Sequence, residues 1–221
     1  MAVKAQTPPA PIKPEFEYRR IIYKLIDSIV KAQGELSDVE VNKAIERLPF
    51  LFSQVKDYNE KKFKKLLADV IGKKKAITLY GLVNQPAIDI LVNVFLSVNI
   101  GLIKSVGNDA SARIMREIAK DPRDLPPIID RIQDAGNLTR SRARTIARTE
   151  VAKLNADMSK VKAVGMGITE YEWRTAGDER VRDRHADSDG KVYKYGQQTD
   201  TESGEEPAQE VNCRCVAIMI I

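Results

Sequence analysis

"RARTIARTEVAKLNADMSKVKAVGMGITEYEW", residues 142–173, changes its period part-way along. Up to Gly165, Ile146, Val151, Leu154, Met158 and Val161 recur at helical spacing. Arg140, Arg144 and Arg148, four apart, share another face of the same helix. Beyond Gly165 the run "ITEYEW" alternates instead, which puts Tyr171 and Trp173 together on one side of a strand. The expected fold is therefore mainly α, a helical body followed by a small C-terminal α+β domain. The expected division is a flexible arm over 1–14, a helical body over 15–136, and over 137–221 the long helix with its strand-containing unit.

Upstream, the first 14 residues hold four prolines and few apolar anchors, as an extended or disordered arm does. Tyr18, Ile22, Leu25 and Ile29 then mark a helix from about Pro14 to Gln33, stopped by Gly34. "SDVE" offers a capping box, Ser37 with Glu40, ahead of a short helix carrying Val41 and Ile45. Phe63, Leu66, Leu67, Val70 and Ile71 define the next apolar face, beside eight lysines between Lys56 and Lys75. Such a lysine face solvates a helix or meets a polyanion. Pro86 suits the first turn of a long apolar helix. Its stretch "PAIDILVNVFLSVNIGLI", broken by Asp89, Asn93 and Asn99, reads as a buried helix rather than a membrane span. Gly101 and Gly107 should interrupt it before another helix over 109–120. "DPRDLPP" should punctuate the chain, with Pro126 or Pro127 opening a short helix closed by Gly136 and Thr139 capping the next.

Downstream, Asp178 is placed to cap a short helix holding Arg180, Arg184 and His185. "SDGKVYKY" reads as a turn, through Asp189 and Gly190, into a second strand. Residues 196–210 read as a polar, mobile loop, and "CVAIMII" as a buried closing strand.

A charged fraction of 30% and a hydrophobic fraction of 43% fit a globular chain able to bury a core. The two cysteines, one residue apart, form no disulfide framework and point to a reducing compartment. The opening "MAVKAQTPPAPIKPEF" lacks the apolar core of a signal peptide. Charge is divided unevenly. Residues 171–221 hold 11 acidic and 7 basic side chains, whereas residues 1–170 hold 29 basic and 20 acidic. The basic part suits nucleic acid, an acidic protein surface, or a solvated helical exterior.

Three chemical readings of the C-terminal part compete. His185, Cys213 and Cys215 supply three of the four ligands of a structural zinc site, with a carboxylate needed to complete it. Against that, one cysteine can point into the core while the other packs beneath a loop. His185 among Asp178, Asp183, Asp187 and Asp189 offers a general base for nucleic-acid cleavage, although Asp187 and Asp189 are also good turn residues before Gly190. Arg140, Arg142 and Arg144, with Arg148, offer phosphate contacts that do not read sequence. They can equally pair with acids inside the protein.

The ordered set of residues resembles the phage Mu F-type head morphogenesis proteins, the minor head proteins of tailed phages. Arg142, Arg148, Thr149, Glu150 and Asn155 carry the likeness on the helix. Gly167, Tyr171, Trp173, Thr175, Asp178, Arg180, Arg182 and His185 carry it in the segment that follows. Asp189, Gly190 and Lys191, then Asn212, Cys213, Arg214 and Cys215, complete it. The resemblance implies a virion protein linked to the portal protein, the major capsid protein or packaged double-stranded DNA, present in the host cytoplasm during assembly. It implies a role in head assembly or DNA exit rather than enzymatic turnover, and the polar breaks at Asp89, Asn93 and Asn99 separately predict no membrane partner. The alternative is a nucleic-acid-cleaving or toxin-like enzyme built on the His185, Asp and Arg cluster. Many members of that family show C-x-x-C where Arg182 to His185 stand here, and a histidine near Glu210, a set resembling metal ligands. This chain departs at Arg182, His185 and Glu210. The expectation is therefore a hydrogen-bonded site without zinc. In it Arg180 or Arg182 pairs with Glu150 or another acid, and Trp173, Cys213 and Cys215 fill a small core.

Overall fold

Helical order runs further than the glycines and prolines of the sequence suggest. The computed structural model describes residues 3–120 and 125–221. Strand β1 (Lys4–Gln6) precedes α1 (Ile12–Lys31), α2 (Asp38–Ile45), α3 (Leu48–Ile71), α4 (Lys73–Tyr80), α5 (Gln85–Lys120) and α6 (Leu125–Gly165). Then follow β2 (Glu170–Arg174), α7 (Asp183–Ser188), β3 (Val192–Lys194) and β4 (Val216–Ile220). The mainly α fold with a C-terminal α+β part is as the residue pattern predicts.

Several boundaries differ, each for a local reason. Gly101 and Gly107 lie inside α5, which continues through both. Their propensity cost is about 1 kcal/mol each, and burial of Ile103, Val106, Ala110 and Ile114 on the same helix offsets it. Gly136 does not end a helix either. It lies inside α6, where a Cβ would stand 2.8 Å from Val30 Cγ2, so the missing side chain lets α1 and α6 approach closely. Thr139, expected as a cap, is buried mid-helix and donates back to Ala135 O at 3.1 Å. The "DPRD" of the expected punctuation, residues 121–124, lies outside the described residues.

The capping box does not form. Ser37 is the N-cap of α2 by backbone conformation but makes no side-chain cap bond, and Glu40 pairs with Lys43 at 2.6 Å. At the far end of α6 the stop is a Schellman motif. Ile168 N donates to Ala163 O at 2.9 Å and Gly167 N to Val164 O at 2.9 Å. Gly167, at φ +81°, supplies the left-handed residue this requires.

The chain divides into two compact units, each discontinuous in sequence. One comprises Lys13–Ser53 and Val94–Arg148. Its core joins the predicted stripe of α1, Tyr18, Ile22, Leu25 and Ile29, to Phe52, Ile103, Val106 and Ile114. Tyr18 stacks edge-on against Phe52 at 6.1 Å and donates its hydroxyl to Asn99 Oδ1 at 2.5 Å. The other comprises Met1–Ile12, Gln54–Asn93 and Thr149–Ile221. Its helical core includes Phe63, Leu67, Val151, Leu154 and Met158. These boundaries cut across the expected division at 136 and 137.

The second unit also holds the sheet, antiparallel throughout in the order β1-β4-β2-β3. The segment expected as a free arm therefore supplies an edge strand, with Lys4 opposite Ile220 and Gln6 opposite Ile218. Thr7 extends the pairing through N and Oγ1 to Ala217 O, at 2.9 and 3.0 Å. Pro8 and Pro9 then end it, having no N–H to give a ladder.

Candidate functional site

Strand β2 sets the site's geometry by sending alternate side chains to opposite faces. Tyr171 and Trp173 enter a buried cluster with Cys213, Cys215 and Ala217, flanked by Tyr193 and Tyr195. Glu172 faces the other way and is also buried, between Lys4 and Arg174. Hydrogen bonds from Lys4 and then Arg174 hold its carboxyl below the usual range. Trp173 is further fixed by its own backbone, receiving Gly190 N on its carbonyl and donating to Lys191 O, both at 2.8 Å. Gly190, at φ +79°, makes that turn. Asp189 secures it by accepting Thr175 N at 2.8 Å and Thr175 Oγ1 at 3.2 Å.

Helix α7 then drops His185 against this face. The imidazole is 2% exposed and meets the Trp173 ring edge-on at 5.2 Å. Its Nδ1 lies 3.7 Å from Cys213 Sγ and 3.5 Å from Cys215 Sγ. Its Nε2 lies 3.2 Å from Glu210 Oε1 and 3.9 Å from Glu202 Oε2. The nearer carboxylate is within ion-pair range without the alignment of a full hydrogen bond. Glu210 is itself held by Ser203 Oγ at 2.6 Å and Arg182 at 3.3 Å. The two thiols share a hydrogen bond, which holds Cys213 below and Cys215 above the ordinary thiol range.

The "DRH" and "NCRC" segments thus form two halves of one packed unit. Asp178, however, does not cap α7, whose N-cap is Arg182 without a side-chain bond. Asp178 instead accepts Arg180 N at 3.1 Å and grips Arg214 through both guanidinium ends. That fork keeps the Asp178 carboxyl well below the usual range. Arg182, expected to pair with an acid, meets Glu210 and donates to Val211 O at 2.8 Å. Asn212 adopts φ +57°, a conformation asparagine tolerates better than most residues. Its N–H donates to Thr149 Oγ1 at 3.1 Å, fastening the loop to α6.

The polar loop over 196–210 is tied rather than free. Thr199 and Thr201 are buried, Lys160 meets Glu206 at 2.8 Å, and Gln209 donates to Asp157 at 2.6 Å. Asn155 lies outside the cluster: it donates to Pro8 O and receives Asn59. Arg148 and Glu150 are half-buried on α6. The arginines nominated for DNA are largely engaged within their own unit. Arg140 pairs with Asp27, and Arg142 meets Asp109 at 3.2 Å, while Arg144 is exposed. Although partial burial pushes it up, Asp109 is held below the usual range by Arg113 and Arg142.

Glu210, which stands against His185, and Asn59 and Lys162, which join the buried network around Asn155, were not singled out by the residue pattern. Lys162 carried a signal, because it continues the buried spacing of Val151, Leu154, Asn155, Met158 and Ser159 at a core position. Glu210 carried none, standing in a stretch that reads as polar loop.

Comparison with known proteins adds a family likeness. Residues 114–218 match the family model described as "Phage Mu protein F like protein". A protein of Haemophilus influenzae, named only as uncharacterized, is 34% identical over 145 residues. That match covers 62% of this chain and 31% of the relative, so this chain corresponds to less than half of the relative's length. No solved structure matches the chain.

Proposed function

Because residues 114–218 of this chain belong to the Phage Mu protein F like family, a phage head-related family, we propose that the protein is a minor structural component of a tailed-phage virion. It works in head morphogenesis, at the portal or inside the capsid, and passes through the host cytoplasm during assembly. The observation that carries this reading is an uncovered apolar face on α5. Ile90, Val94 and Val98, four residues apart, are 65%, 53% and 53% exposed. Contrary to the expectation of a buried helix, only 17% of the most apolar 18-residue stretch of α5 is buried. By length and composition that helix could also cross a membrane. Asn93 and Ser97, exposed beside Val94 and Val98, suit a packed protein contact better than lipid.

A second contact, to double-stranded DNA, rests on lysine rather than arginine. Lys73, Lys74 and Lys75 fill the first turn of α4, with no acidic residue there. All three are exposed, and none makes an ion pair among the described residues. Stacked positive charge at the positive end of a helix dipole is unfavourable until a polyanion meets it.

The enzyme reading has little geometric support. His185 is buried against thiols, an indole edge and glutamates, while Asp178 and Asp189 are occupied by Arg214 and Thr175. A general base needs reach to a substrate proton.

Sedimentation of this chain co-expressed with its own portal and major capsid proteins tests the proposal. Co-migration with portal rings or closed heads is expected. Travel with neither, or recovery in the membrane fraction, would sink it.

A further inference from the structure

We infer that Cys213, Cys215 and His185 form a three-donor site for one zinc-like divalent ion, with the fourth position left to a water molecule. Zinc bound to thiolate at about 2.3 Å and to imidazole at about 2.0 Å places tetrahedral S and N donors about 3.6 Å apart. His185 Nδ1 lies 3.7 and 3.5 Å from the two sulfurs, and the three atoms all fall within 4.8 Å of one another. They therefore sit like three corners of one coordination tetrahedron. A thiol–imidazole hydrogen bond accounts for one of these contacts, since a single Nδ1 lone pair accepts one S–H. It does not require both sulfurs to flank the same nitrogen.

The ring is also presented the right way round. Glu210 Oε1 stands 3.2 Å from Nε2, not aligned as a hydrogen bond but on the side where a carboxylate favours the proton on Nε2 and leaves Nδ1 for the metal. Ser203 and Arg182 in turn hold Glu210. The Trp173 edge covers the imidazole, and all three donors are buried.

Room and charge agree with this assignment. A cavity of about 20 Å³ opens beside the donors, bounded also by Asn212 and three arginines. A single water needs roughly 10–15 Å³ on the same measure. Arg214 is matched by Asp178 and Arg182 by Glu210, while exposed Arg180 lies 3.8 Å from Glu179. Two thiolates then balance the charge of a divalent ion. This goes beyond the residue pattern, which favours hydrogen bonds alone because Arg182 and Glu210 are not soft ligands. In the structure neither needs to be one.

The test uses the full-length, tag-free, reduced chain, purified from zinc-defined medium and then stripped and titrated with cobalt(II). One equivalent of zinc per chain is expected by elemental analysis. Cobalt should give the thiolate charge-transfer and tetrahedral ligand-field bands in the same stoichiometry. Cys213→Ser and Cys215→Ser should lose the charge-transfer band stepwise, and His185→Ala should lose tight binding. Glu210→Gln should keep the bands but weaken affinity about 10–100-fold. The inference is overturned if the wild-type chain takes up less than about a tenth of an equivalent. It is overturned equally if cobalt binds without a thiolate band. Because these two readings use the wild-type protein, they stand even where a variant fails to fold.

Discussion

Asn155 Nδ2, on α6, donates to the carbonyl of Pro8 at 2.8 Å and so fastens the amino-terminal segment to the long helix of the same unit. The bond is one link in a buried chain. Asn59 Nδ2 reaches Asn155 O, Asn155 Oδ1 and Ser159 Oγ at 3.0, 3.0 and 2.9 Å. Lys162 Nζ donates to Asn59 Oδ1 at 2.7 Å. Replacing Asn155 leaves the buried Pro8 carbonyl without this donor and removes one of the three acceptors around the Asn59 amide, at a cost of about 1–3 kcal/mol. Asn155→Ala should therefore lower the urea midpoint and speed hydrogen exchange at the amides of Val3 and Thr7, which flank β1. Unchanged protection there would mean that pairing with β4 holds the segment without help from α6.

Lys162 gives the same network a pH signature. It is 1% exposed, and burial lowers its pKa from 10.5 to about 8. Glu60 opposes that shift, and Lys64 and Lys56 reinforce it; Phe63 and Tyr80 face the ammonium at 5.6 and 6.0 Å. Between pH 8 and 10.5 the unfolded chain holds this proton and the folded one releases it, so Lys162 makes stability rise with pH. Below pH 8 both states are protonated, and the full cost of burying the charge, roughly 3 kcal/mol at most, is present. Unfolding free energies at pH 7, 8, 9 and 10 should show the wild type gaining on Lys162→Met across that window. A constant gap would show that Lys162 does not change charge there.

How much of this was legible depends on whether a signal was local. The apolar stripe of α1 and the alternation around Tyr171 and Trp173 repeat every few residues, and both elements form as read. The stop signals were misread because glycine serves two purposes. Gly136 looks like a terminator, but its use is the approach of Val30 from a helix about a hundred residues earlier. The arm was misread for a related reason: the partner that makes Lys4–Gln6 a strand lies at the other end of the chain. In the site, the packing of Cys213 and Cys215 with Trp173 was legible as hydrophobic burial. The placing of Glu210 behind His185 depends on the path of a polar loop, which no periodicity encodes.

The two uses of glycine can be separated by one substitution. Gly167, left-handed at the end of α6, has no heavy atom near its absent Cβ, so Gly167→Ala acts through backbone strain alone. It should destabilise the protein by about 1 kcal/mol. Gly101 is exposed inside α5, also with nothing within 4 Å, and its conformation is helical. Gly101→Ala should stabilise by about 0.5–1 kcal/mol. Denaturant midpoints shifting in opposite directions would support a helix end at Gly167 and an unbroken α5 at Gly101, and a loss from Gly101→Ala would refute the latter.

The proposed DNA contact predicts which charges govern salt dependence. Affinity for duplex DNA should fall with salt at a log–log slope of about 0.9 per phosphate neutralised. Lys73, Lys74 and Lys75 have no acid partner among the described residues, so replacing all three by glutamine should reduce that slope by about 2–3. Arg140 and Arg142 already face Asp27 and Asp109. Replacing them should leave the slope nearly unchanged and register in folding stability instead. The reverse pattern would return the contact to the α6 arginines, and a wild-type slope near zero would remove DNA from the proposed partners.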